Sequence, residues 1–355
     1  MNDIKAKSVI AEESFKFLGK LVEAVSPSGF EEEAINIWTD RTKKFVDEIK
    51  TDVMGNAIAV LNKSGEKKVM FAGHIDEIGF MVTYIDKEGF VYFSTIGGVD
   101  LHLVQGQRVW IKTKRTKVLG VVGKKPIHLM DDEDRKKTPK IEELWIDIGA
   151  KDENEAKSMV EIGDPVVSAV GLEVLNSSSD WVIGRGFDDK AGAFVVSETL
   201  KILSKKKIKP SIYGVATVQE EIGLRGAKAS AYGISPDIGI AIDVAFATDF
   251  PSMDKRKIGE INIGGGPVIA KGPNISPKIF DLLVASAKEE KIPYQIEGIS
   301  RATGTDANVI QMTKAGVATG LVSIPLRYMH TQVELLSLND LENAAKLLSA
   351  FIVKL

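Results

Sequence analysis

Apolar residues recur at helical spacing through the first fifty positions. Phe15, Leu18, Leu21, Val22 and Val25 share one face, and Ser26-Pro27-Ser28-Gly29 breaks the run. Ser28 followed by Glu31 makes a capping-box pattern, which predicts a second amphipathic helix through Ile35, Trp38 and Phe45. The pattern then changes to that of strands, at residues 56–61 and 68–72, with a turn at Lys63-Ser64-Gly65 between them. From about Gly79 to Val170 short strands (80–85, 90–94, 108–113, 118–122) alternate with Gly-rich turns and helical signal is scarce. Beyond that stretch the chain returns to strand–helix alternation. Helices are predicted at 191–204, 227–232, 277–288 and from Leu338, and strands at 211–218, 238–242 and 317–323. Alternation of this kind predicts an α/β fold, a mixed sheet flanked by helices. The simplest organisation makes one α/β domain of residues 1–78 and 171–355, with 79–170 inserted as a small β-rich domain.

Composition narrows the function. Of 355 residues, 46 are basic and 49 acidic, and no basic stripe runs along the chain, which argues against a nucleic-acid partner. The run Lys205-Lys206-Lys207 falls at a helix end, where cations offset the dipole and face water. No apolar run is long enough for a signal peptide or a membrane span, so a cytoplasmic protein with no membrane partner is expected. Cysteine is absent. Disulfides, thiolate ligands and a cysteine nucleophile are thereby excluded, and any zinc-type site must be built from His, Asp and Glu.

Five apolar runs end in such residues. Residues 68–72 lead to His74 and Asp76, 181–187 to Asp188 and Asp189, 215–218 to Glu220 and Glu221, 239–242 to Asp243, and 322–326 to His330. Open α/β sheets bind ligands beyond the carboxyl ends of their strands, so these groups would converge there. Two histidines and several carboxylates suit a pair of divalent cations bridged by one carboxylate. Singly, each residue is unremarkable: His102 and His128 read as surface histidines, and an Asp closing a strand is commonly a turn residue. Gly184-Arg185-Gly186 lacks the third glycine of a dinucleotide loop, and Gly264-Gly265-Gly266-Pro267 reads as a tight turn. There is no G-x-S-x-G elbow and no H-E-x-x-H helix, and a glycosidase would leave the strand-end histidines without a role.

The segments AGHIDEIGFMV, GFDDKAGA, VATVQEEIGLRGA, AIDVAFATD and IPLRYMHTQVE resemble, in order and position, the M42 family of metallo-aminopeptidases. These are also called tetrahedral (TET) or deblocking aminopeptidases, and some carry the name cellulase or endoglucanase. The resemblance runs from Ser26 to the C-terminal helix. It implies a zinc-peptidase-like catalytic domain, a PDZ-like inserted dimerisation domain, and self-association of dimers into a tetrahedral dodecamer. The implied activity is removal of N-terminal residues from peptides. Two divalent ions per subunit, Zn or Co, are implied: His74 and Asp243 would hold one, Glu221 and His330 the other, and Asp188 would bridge them. Asp76 would hold the other imidazole nitrogen of His74. Glu220 would be the general base, passing a proton from the attacking water to the leaving amine. This would account for two adjacent glutamates that raise each other's cost of ionising. The loop at 123–136 matches one that reaches a neighbouring subunit, although on charge alone it reads equally as a solvated loop. Thr305-Asp306 matches a motif near the site, with Ser300-Arg301-Ala302-Thr303-Gly304 where the family has a run of glycines. Two alternatives stand beside this reading. One is a two-metal amidase or deacylase acting on N-blocked peptides; the other is a self-assembling shell with an idle site, against which the intact candidate ligands argue.

Overall fold

In the strand Lys68–His74, Val69 and Phe71 face one way and Met70 and Ala72 the other, and all four are fully buried. Alternation with both faces apolar is the mark of a central strand covered on two sides. The computed structural model describes residues 10–175 and 180–355 and places this strand inside an eight-stranded mixed sheet. In spatial order the strands are Glu48–Thr51, Ala57–Leu61, Ser211–Thr217, Lys68–His74, Ile238–Phe246, Ala318–Leu326, Val268–Lys271 and Gln295–Gly298. The four strands from Ser211–Thr217 to Ala318–Leu326 are parallel, so their carboxyl ends form one rim. Helices Glu12–Glu23, Glu32–Thr42, Phe187–Leu203 and Leu338–Val353 contribute to the core on the Val69/Phe71 face, and Arg225–Ile234 with Asp306–Gln311 to that on the Met70/Ala72 face. Helix Phe187–Leu203 comes so close that a Cβ at Gly73 would lie 2.5 Å from the Gly192 carbonyl carbon, which only glycine permits.

Strands Gly79–Ile85, Val91–Ile96, Trp145–Asp147, Lys117–Gly123, Arg108–Lys112 and Pro165–Ser168 close into an antiparallel barrel. Its interior is apolar, with Val82, Val91, Ile111, Leu144 and Ile146 fully buried. Closure removes the sheet edges and pairs the strand backbones all round. A small antiparallel sheet of Glu173–Val174, Trp181–Gly184 and Glu334–Ser337 sets Gly184 opposite Glu334. No helix among the described residues is long and apolar enough to cross a membrane.

Three local expectations are corrected. Helix Glu32–Thr42 has no side-chain cap and stops short of Phe45. The Ser28 hydroxyl instead donates to Asp76 at 2.6 Å, a charge-assisted bond that fixes it away from the helix start. Strand Ile238–Phe246 runs through Asp243 rather than ending at it, because Val244, Ala245 and Phe246 continue the pairing with Ala318–Leu326. The strands Glu48–Thr51, Val268–Lys271 and Gln295–Gly298 at the two ends of the sheet are not predicted by the sequence pattern: each is only four residues long, and the first and last, which form the edges, mix exposed and half-buried positions.

Candidate metal centre

Parallel register sets Thr217 beside His74 and Ala72 beside Ala241. Two residues further on, His74 and Asp243 therefore stand level on the same face of the sheet. Asp188 enters from the turn after strand Trp181–Gly184: it and Asp189 have non-helical torsions at the head of helix Phe187–Leu203, and the peptide between them is cis. Glu220 and Glu221 follow strand Ser211–Thr217, and His330 closes the irregular turn after strand Ala318–Leu326, at φ 61°.

These elements bring the expected residues together. His74, Asp188 and Asp243 each offer a ligand atom within 4.8 Å of the others, and so do Asp188, Glu221 and His330. Asp188 belongs to both groups. Its Oδ1 lies 3.2 Å from His74 Nε2 and its Oδ2 3.3 Å from His330 Nε2, one oxygen for each imidazole. The far ring nitrogens meet main-chain carbonyls, His74 Nδ1 at 3.1 Å from Asp76 O and His330 Nδ1 at 2.8 Å from Gly98 O. A proton on Nδ1 of each ring would leave the Nε2 lone pairs facing Asp188. The Gly98 carbonyl comes from the loop after barrel strand Val91–Ile96, so the inserted segment supports a residue of the centre. The Asp76 carboxylate lies 3.6 Å from His74 Nδ1, and it also accepts from Glu220 N at 3.0 Å and Glu221 N at 3.2 Å. Glu220 Oε2 stands 3.8 Å from His74 Nε2, outside both groups.

The electrostatics are those of crowded, buried carboxylates. Burial first, then the neighbouring charges of Asp243, Asp306 and Glu221, pushes the Glu220 carboxyl up to about 10 despite His74. Burial and the charge of Asp188 push Glu221 to about 7, and burial raises Asp243 strongly. Burial would raise Asp188 too, but hydrogen bonds from His330 and His74 hold it below the usual carboxylate range. The bond to Asp188, against the cost of burial, lifts His330 to about 9. Glu221 Oε1 is buried without a hydrogen bond, 3.5 Å from His330 Nε2. An orphaned carboxylate oxygen within a His/carboxylate donor set fits hard or borderline divalent cations, which would relieve the repulsion that raises these groups.

Further residues surround the centre, and two of them, Glu334 and Glu77, were not singled out from the sequence. Glu334, fully buried, accepts from Asp188 N and His330 N, both at 3.1 Å, and so braces two of the candidate ligands. Asp189 accepts from His74 N at 3.1 Å and Gly192 N at 2.9 Å, tying strand to helix. Glu77 meets the buried Lys190 at 2.7 Å and Arg185 at 3.2 Å beneath the rim. Asp306 is buried at the head of its helix, accepting from Thr217 Oγ1 at 2.6 Å. Arg301, His102 and His128 are exposed, and His102 pairs with Thr138. The glycine turn at 264–266 presents two amides to the Asp340 carboxylate, at 2.7 and 2.8 Å.

A family model described as M42 glutamyl aminopeptidase matches residues 55–347. The lysyl aminopeptidase of Pyrococcus furiosus is 38% identical over 344 residues, 96% of this chain and 97% of that one. Among solved structures, a TET aminopeptidase from a marine-sediment thaumarchaeon superposes with a TM-score of 0.92 at 35% identity, covering 97% of both chains. The TET1 peptidase of Pyrococcus horikoshii, described as assembling into a tetrahedron or a large octahedral shell, gives a TM-score of 0.86 at 33% identity over 96% of this chain and 100% of that one.

Proposed function

The chain belongs to the M42 peptidase family, and on that footing we propose that it is a two-metal aminopeptidase that removes N-terminal residues from peptides. His74 and Asp243 would hold one ion, Glu221 and His330 the second, and Asp188 both, the ions being Zn or Co. Bound there, the cations would polarise the scissile carbonyl and make water acidic enough to attack at neutral pH. The rest is the work of the side chains. Glu220 takes a proton from the attacking water as its oxygen bonds to the carbonyl carbon. It then delivers that proton to the peptide nitrogen as the C–N bond breaks, so the amine leaves neutral. Asp76 keeps the Glu220–Glu221 backbone in place, while the main-chain carbonyls of Asp76 and Gly98 orient the imidazoles.

The observation that carries this reading is Asp188, whose two oxygens face two different histidines at 3.2 and 3.3 Å. The test is hydrolysis of one short peptide, N-terminus free or acetylated, by protein stripped with chelator and then reloaded with Zn or Co. Cleavage of the free peptide alone, restored by metal, is expected. Cleavage of the acetylated form would mean a deacylase or deblocking activity, and no cleavage despite metal uptake would overturn the enzyme reading.

The catalytic domain is proposed to comprise residues 1–78 and 171–355, with 79–170 mediating dimerisation. Supporting this, the barrel exposes Tyr84, Leu119 and Val121 on its outer surface. The tetrahedral assembly of the horikoshii peptidase supports a dodecamer built from such dimers.

A further inference from the structure

Four consecutive amides in the turn that carries the two glutamates donate to side chains from distant parts of the chain. Val218 N donates to Asn56 Oδ1 at 3.0 Å, Gln219 N to Glu31 Oε1 at 3.0 Å, Glu220 N to Asp76 Oδ1 at 3.0 Å, and Glu221 N to Asp76 Oδ2 at 3.2 Å. Amides at the end of a strand are ordinarily left to turns or water. Here Gln219 sits at φ 56°, a region costing a side-chain-bearing residue about 1–2 kcal/mol, and the surrounding acceptors hold it there.

The acceptors are themselves braced. Asn56, fully buried, gives its Nδ2 protons to Asp52 Oδ2 at 2.8 Å and Gly226 O at 3.0 Å. Gly226 N returns to Val218 O at 2.9 Å and closes the neck of the loop. A Cβ at position 226 would lie 2.4 Å from Asn56 Oδ1, so glycine is required where the asparagine crosses. Glu31 is 6% exposed, and the oxygen that accepts from Gln219 also accepts from Gly29 N at 2.7 Å.

We propose that Glu31 and Asn56 are positioning residues of the hydrolytic reaction, which with Asp76 fix the backbone of residues 218–221 so that Glu220 turns toward proton transfer and Glu221 toward Asp188 and His330. The proposal rests on the aminopeptidase reading of the site. Neither residue reaches the reacting atoms: each acts through a main-chain amide. What the clamp needs from Glu31 is an oxygen at the right distance rather than a charge. Burial, reinforced by Asp76, already pushes this carboxyl up to about 7.

That distinction makes the test. Glu31→Gln keeps the accepting oxygen and removes the charge, Glu31→Asp keeps the charge and withdraws the oxygen, and Asn56→Ala removes the second acceptor. All three are made in the full chain. kcat and KM are measured with zinc loaded, on a peptide that the wild type cleaves, and hydrogen exchange of the amides of 218–221 is followed in metal-free protein. Glu31→Gln should stay within about threefold of wild type, while Glu31→Asp and Asn56→Ala lose roughly 10- to 100-fold in kcat with KM little changed. Exchange at 218–221 should rise about tenfold in the latter two only. Wild-type kcat in Glu31→Asp, or a loss in Glu31→Gln as deep as in Glu31→Asp, would overturn the proposal. Should Asn56→Ala fail to fold, the Glu31 pair still decides. If the wild type cleaves no peptide, the functional reading falls, and exchange unchanged in Glu31→Asp would independently sink the clamp.

Discussion

Between residues 79 and 168 the chain buries one polar side chain among the described residues, Ser168. Along the carboxyl rim of the open sheet it buries His74, Asp76, Asp188, Glu220, Asp243 and Glu334, drawn from five separate segments. The difference follows from topology. A closed barrel pairs its strand backbones all round, and its interior needs nothing but Val, Ile, Leu and Phe to fill it. An open parallel sheet ends in a row of strand termini where backbone pairing stops, and polar groups gathered there can be satisfied only by one another or by a ligand. The barrel is thus built for stability. The rim carries a standing cost, in carboxyls pushed to about 7 and 10, and the proposed chemistry is placed there.

Breaking the rim should therefore affect rate, and breaking the barrel should affect stability. The largest effect is expected from Glu220→Gln, which should lower kcat by about a thousandfold while metal content stays at the wild-type level. Metal loss in that variant would remove Glu220 from the role of base. Next, stripping the metals should lower the apparent stability of the whole protein by on the order of 4 kcal/mol relative to protein in large zinc excess, read as a shift in thermal unfolding. In the barrel, Ile111→Ala should cost about 2–5 kcal/mol of stability through the cavity it leaves. Its zinc affinity, measured by chelator competition, should be unchanged, and a coupled loss of both would erase the contrast drawn here.

The smallest effect sharpens the boundary between clamp and centre. The Glu31 carboxyl is raised to about 7 in the folded chain from an ordinary 4.5, so between those values the folded state holds a proton that the unfolded state releases. Stability contributed below pH 4.5 is lost as pH rises toward 7. Glu31→Gln should abolish this loss. In metal-free protein its advantage over wild type should grow between pH 4.5 and 7 to on the order of 3 kcal/mol, then level off. A pH-independent difference in unfolding temperature would show that Glu31 is not raised.

How much of this could be read in the chain depends on which atoms act. His74, Asp188, Glu220, Glu221, Asp243 and His330 each follow an apolar run, a local signal that survives without knowledge of the fold. The parallel order of the four central strands then brings the runs to one rim. Glu334 was hidden because its nearness to Asp188 comes from antiparallel pairing with Gly184, a contact between segments 150 residues apart. The Gly98 carbonyl left no trace, since a main-chain acceptor has no residue identity. Ser28 was misread as a helix cap because hydroxyls serve caps and carboxylates alike, and only the fold shows Asp76 beside it. For Asp76, the spacing from His74 suggested an imidazole partner, and its carboxylate lies 3.6 Å from Nδ1; its bonds to the amides of Glu220 and Glu221 were beyond the reach of local spacing.

The central claim is that Asp188 serves two metal positions at once. Equilibrium zinc loading, counted by elemental analysis on the wild type, Glu221→Ala and Asp188→Ala, tests it most directly. The account predicts two ions per chain in the wild type, one in Glu221→Ala, and close to none in Asp188→Ala. A single ion in the wild type, or loss of only one ion in Asp188→Ala with the other bound as tightly as before, would contradict it.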